Sequence, residues 1–161
     1  MNKKVLVVED DMIIGAILTL HLNQIGYSVK SVSNGKDALV ALKEEHFSVI
    51  ITDLEMPVMN GYEFIDRFNS LNYTSLIIVH SSHDEPEIIS NVMNKGVLDY
   101  CIKPAKKNDI KEKLEYAFDI LEQDQFKKHV GCEGHQSSKK QTDYRSSWLI
   151  HQNFSCRQPV Q

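Results

Sequence analysis

Five short apolar runs, each ending on a polar side chain and each followed by a helix-period stretch, limit this chain to very few folds. The runs are Lys3–Val8, Tyr27–Val32, Val49–Thr52, Leu76–Val79 and Val97–Ile102. Lys3–Val8, Val49–Thr52 and Leu76–Val79, continuous and bounded by turn residues, read as buried strands, whereas Tyr27–Val32 alternates and reads as a strand, with Val97–Ile102 the fifth. Between them, apolar residues recur every three or four positions. They are Ile13, Ile14, Ile17, Leu18 and Ile25, then Ala38, Leu39, Ala41 and Leu42, then Phe64, Ile65 and Phe68, then Ile88, Ile89, Val92 and Met93. Ile110, Leu114, Ala117 and Leu121 close the series. Each set predicts the inward face of a helix. Gly26, Asn34-Gly35, Met59-Asn60-Gly61, Pro86 and Gly96 supply the stops and starts.

Strict alternation of strand and helix implies a parallel sheet, helices on both faces and right-handed crossovers: a doubly wound α/β fold. All strands then end at one rim, where ligands of open α/β sheets bind. On that rim fall Glu9, Asp10 and Asp11, then Asp53, Ser81 and Lys103. Taken singly, each has a plain structural explanation. Asp10 or Asp11 suits an N-cap, Ser81 a cap, Asp53 a turn, and Lys103-Pro104 a surface loop. Taken together they suit phosphoryl chemistry. Adjacent carboxylates repel unless a cation joins them. Oxygen ligands select Mg²⁺, with Mn²⁺ also suitable. Asp53 then serves as a nucleophile, a metal ligand or both, while Lys103 and Ser81 supply a positive charge and a hydroxyl for phosphate oxygens.

The chain has 161 residues, 42% of them apolar and 25% charged, which suits one packed domain. Residues 126–161 carry six Lys/Arg and two Asp/Glu, leaving twelve basic and twenty acidic residues in 1–125. An acidic body argues against nucleic-acid binding by the domain. From Phe126 the periodicity stops, and the polar, Gly- and Ser-rich sequence reads as a disordered tail with no room for a helix-turn-helix module. The tail has a small apolar island at Trp148-Leu149-Ile150. Its Cys132, His135, His151 and Cys156 match no established zinc spacing and read as scattered residues. Three cysteines without a framework spacing, no signal-like N-terminus and no run near the length of a membrane span together predict a reduced cytoplasmic protein.

The segments VLVVEDD (5–11), IITDLEMPVMNG (50–61), IIVHSS (77–82) and GVLDYCIKP (96–104) resemble the receiver domain of two-component response regulators. The likeness spans roughly residues 3–125 and sets the expected domain at 1–125, a normal size for one domain. It implies a flavodoxin-like (βα)5 fold with strand order 2-1-3-4-5. It further implies Asp53 as phosphoacceptor, and Mg²⁺ held by Glu9, Asp10, Asp53 and the backbone carbonyl of Glu55. Ser81 and Lys103 are expected on the phosphoryl group, with a cis Lys103–Pro104 bond. Ser81 and Tyr100 are implied as the switch pair, and Glu55 and His83 as residues that tune phosphate loss. Ser82 replaces the family's usual alanine, and Gly96-Val97 its usual Gly-Ala.

The function implied is a signalling switch rather than an enzyme, charged by a histidine kinase or phosphotransfer protein. Its output is by contact with a further protein, as a monomer or a phosphorylation-dependent dimer. Two alternatives remain open: a metal-dependent phosphohydrolase with an aspartate nucleophile, and a DNA- or RNA-binding regulator acting through the basic tail.

Overall fold

The computed structural model describes residues 3–130, with side chains to Phe126. The expectations for the tail beyond Val130, including the cysteine–histidine set and the Trp148 island, lie outside the described residues.

Five strands and five helices alternate along the chain. They are β1 (Lys4–Val8), α1 (Met12–Gln24), β2 (Ser28–Val32), α2 (Gly35–Glu44) and β3 (Val49–Thr52), followed by α3 (Gly61–Ser70), β4 (Leu76–Ser81), α4 (Pro86–Asn94), β5 (Asp99–Ile102) and α5 (Lys107–Val130). The strands form one sheet in the order β2-β1-β3-β4-β5, with every pairing parallel. This is the doubly wound 2-1-3-4-5 order expected from the resemblance.

Alternation along the strands splits the core in two. Leu6, Val8, Ile50, Ile77 and Val79 face α2, α3 and α4, where Phe64, Ile65, Phe68 and Val92 pack. Val5, Val7, Val49, Ile51 and Ile78 face α1 and α5, where Leu18, Leu22, Leu114 and Phe118 pack. Helix starts follow local chemistry. Asp11, Asn34 and Asn60 cap α1, α2 and α3, each side chain accepting backbone N–H bonds, worth about 1 kcal/mol per cap. Pro86 opens α4, where its missing N–H costs nothing.

Three expectations need correction. In α1 the buried residues are Gly15, Leu18 and Leu22, whereas Ile13 and Ile17 are exposed. The helix is apolar nearly all round, so periodicity could not choose its inward face. In α4 only Val92 is fully buried; Ile88, Ile89 and Met93 are half-buried, because the helix lies at the margin of its layer. Finally, α5 continues to Val130, past the last inward residue. Residues 122–128 include Glu, Gln and Lys, all good helix formers, with no Gly or Pro to stop them. No helix among the described residues is long and apolar enough to cross a membrane.

Candidate functional site

The parallel register carries the ladder one residue beyond the ends of β1 and β3. Glu9 N–H donates to the Val32 carbonyl at 3.0 Å, and Asp53 N–H to the Val8 carbonyl at 3.0 Å. Glu9 and Asp53 therefore leave neighbouring strands side by side, and both are buried. Asp53 Oδ1 accepts from Leu54 N–H at 2.6 Å and lies 3.4 Å from Glu55 N. The loop after it folds back, with Gly61 N–H donating to the Leu54 carbonyl at 2.9 Å. A Cβ on Gly61 would lie 2.1 Å from the Asp53 carbonyl oxygen, so only glycine lets α3 begin this close to the strand end.

Lys103 reaches the same point from β5. Its Nζ lies 2.6 Å from Asp53 Oδ2 and 2.8 Å from Glu9 Oε2. Its backbone N–H donates to the Ser81 carbonyl at 2.8 Å, and the Lys103–Pro104 bond is cis. Burial works against the ammonium, but hydrogen bonds to Asp53 and Glu9 outweigh it and raise its pKa above the usual lysine value. Burial raises the pKa of Glu9, and the hydrogen bond from Lys103 opposes that rise.

Asp10 is exposed beside them, and ligand oxygens of Glu9, Asp10 and Asp53 lie within 4.8 Å of one another. Its neighbour Asp11 takes the N-cap role. Three carboxylates face a single ammonium. This all-oxygen set, under-compensated in charge, fits a hard divalent cation such as Mg²⁺.

Ser81 is buried at the end of β4. Tyr100 is half-buried, and its hydroxyl donates to the His83 carbonyl at 3.0 Å. The Glu55 side chain points outward and pairs with His83 Nε2 at 3.1 Å, while His83 Nδ1 lies 3.3 Å from Glu85. Those two carboxylates, Glu55 first, raise the pKa of the His83 imidazole. Thus Glu9, Asp10, Asp53 and Lys103 converge directly. Ser81 joins them through the backbone of Lys103, and Glu55 and His83 form a separate ion pair at the surface.

Sequence reasoning passed over His80. It is buried on β4, with Nδ1 3.9 Å from Glu9 Oε2. Burial, then the charge of Lys103, holds its pKa down at about 4. The available signal was parity: two residues on from Ile78, it shares the face of Ile51 and Asp53.

A family model for the response regulator receiver domain matches residues 5–115. The transcriptional regulatory protein MalR of Bacillus subtilis is 35% identical over 102 residues, which cover 62% of this chain and 43% of MalR. The chain thus spans less than half the length of that relative. Among solved structures, a CheY-like receiver domain protein from Methanospirillum hungatei superposes with a TM-score of 0.72 at 25% identity, covering 77% of this chain and 99% of that one. The chemotaxis response regulator CheY4 of Vibrio cholerae gives 0.66 at 28% identity, covering 73% and 99%.

Proposed function

This chain belongs to the response regulator receiver domain family of two-component signalling, and on that premise we propose that it is a switch charged by phosphoryl transfer to Asp53. The observation that carries the reading is the Lys103 ammonium shared between Glu9 and Asp53 at the rim of a parallel sheet. The donor is a phosphohistidine on a sensor kinase or phosphotransfer protein, which places the exchange in the cytoplasm.

Asp53 Oδ2 attacks phosphorus, the N–P bond breaks, and the departing imidazole takes up a proton. Leu54 N–H holds Oδ1, leaving Oδ2 as the attacking atom. Lys103 Nζ, already 2.6 Å from Oδ2, follows the phosphoryl oxygens as their charge develops. Glu9, Asp10, Asp53 and the Glu55 carbonyl would hold a divalent ion, Mg²⁺ or Mn²⁺, whose charge would offset repulsion between carboxylate and phosphoryl group.

Ser81 then turns its hydroxyl toward the phosphoryl group, and Tyr100 moves into the space it leaves. That movement alters the surface of α4, β5 and α5 and so the affinity for a downstream protein. The Glu55–His83 pair at the mouth tunes how fast water removes the phosphate. The chain turns over no small substrate. Residues 1–125 form the switch, and 126–161 a basic tail attached to it.

The test is intact mass after incubation with acetyl phosphate and Mg²⁺. The parent is expected to gain one phosphoryl group, lost with chelator and absent in Asp53→Asn. Undiminished labelling of Asp53→Asn would overturn the assignment of the acceptor. Continuous turnover of a small phosphate ester by the parent would overturn the switch in favour of a phosphohydrolase.

A further inference from the structure

His80 immediately precedes Ser81 on β4, and the phosphoryl chemistry makes no use of it. The residue is 4% exposed, and neither ring nitrogen makes a hydrogen bond among the described residues. A buried polar group without a partner costs free energy that an aliphatic side chain at the same place would not. Its neighbours on that face, Ile78 and Cys101, would accept one readily. Packing therefore gives no reason for an imidazole here.

Its direction does. Nδ1 lies 3.9 Å from Glu9 Oε2, too far for a hydrogen bond. Lys103 holds that same oxygen at 2.8 Å. Glu9 Oε2 thus has an engaged ammonium and an unengaged imidazole within 4 Å of it. When Lys103 follows the phosphoryl group, a buried carboxylate loses its only charged donor among the described residues while still required to face the divalent ion.

We propose that His80 is a positioning residue for Glu9, closing on Oε2 through Nδ1–H when Lys103 turns to the phosphoryl group and so keeping the carboxylate aimed at the metal. The shift needed is about 1 Å, within side-chain rotation, to reach ordinary hydrogen-bond length. The ring acts in its neutral form, as burial and the facing Lys103 require, with Asp53 the opposing charge on that face. The donated bond fixes the tautomer with hydrogen on Nδ1. This is the part an outer-shell donor plays toward a metal-holding carboxylate.

The inference rests on the divalent-ion reading of the acidic cluster, and one titration tests both. Free Mn²⁺ is counted by its electron paramagnetic resonance signal, with beryllofluoride present to stand in for the phosphoryl group. His80→Leu is expected to weaken Mn²⁺ binding about tenfold, the usual scale for losing an outer-shell partner. His80→Asn places an amide N–H close to where Nδ1 lay and is expected to stay within about threefold of the parent. The metal-free melting temperature of His80→Leu should equal or exceed the parent's, since an unpartnered polar group is gone. If His80→Leu folds too poorly to assay, His80→Met replaces it with the same expectation. Parent-like Mn²⁺ affinity in the aliphatic variant overturns the role of His80 and leaves the metal site standing. Equal losses in His80→Asn and the aliphatic variant show an effect of packing and also overturn it. Failure of the parent to bind Mn²⁺ overturns the metal reading itself, and the inference with it.

Discussion

The two halves of the sheet are built to the same pattern and packed to different degrees. All four residues of β3 are buried, and α3 buries Phe64, Ile65 and Phe68 beside Gly61. Across β4, β5 buries only Cys101, and α4 buries only Val92. Ile102 is exposed. The difference suits the two jobs proposed for them. Asp53 sits on the tightly packed side, where the proposed nucleophile would keep its geometry. Tyr100 sits on the looser side, where fewer buried contacts leave low-energy opening available. The proposed switch needs both in one sheet, and here β4 is the boundary between them.

The sharpest way to break that comparison is to truncate one residue on each side. Phe64→Ala should cost about 3–5 kcal/mol in urea unfolding, whereas Ile88→Ala, half-buried, should cost roughly 1 kcal/mol. Equal losses would mean that α4 is as firmly held as α3.

The next effect is pH-dependent and sits on the boundary strand. The folded pKa of His80 is about 4 against an ordinary 6.5. Between those values the unfolded chain binds the extra proton, so stability falls as pH is lowered through that window. Full exchange across the window amounts to about 3 kcal/mol. Stability curves at pH 7 and pH 4.5 should therefore converge partly in His80→Leu, and an unchanged slope would remove His80 as the cause.

A smaller effect belongs to the surface. The His83 pKa is raised by Glu55 and Glu85, so the stabilising charged pairing is present below the ordinary imidazole value and lost as pH rises through the raised one. In Glu55→Gln the His83 midpoint, followed by NMR, should fall back toward 6.5 with the urea midpoint nearly unchanged. If Asp53 is the acceptor proposed above, its phosphate loss should change rate in Glu55→Ala and His83→Ala. Parent rates in both would detach this pair from the acceptor.

Much of this was legible in advance, for reasons that differ by residue. Asp53 could be found because an apolar strand running into an acid is a local pattern. Strand order came from resemblance, since alternation alone leaves several orders open. Asp11 as N-cap followed from position, but its separation from Asp10, which joins the cluster, required coordinates. Glu55 could be placed in the loop, yet its exposed side chain pairs with His83. His80 was hidden by following directly on the apolar run Leu76–Val79, where a histidine reads as a strand terminus.

Local pattern alone determined that this chain alternates strand and helix, and that its acids, serine and lysine end strands. Period and turn chemistry are properties of neighbouring residues, so they need no fold to be read. Tertiary structure decided what neighbours in sequence do not share. It chose Leu18 and Leu22 over Ile13 and Ile17 as the inward face of α1. It brought Lys103 to Glu9 across 94 positions and set an imidazole beneath them. The physical reason is competition: several apolar faces or polar partners were equally acceptable locally, and only packing against the same sheet selected among them.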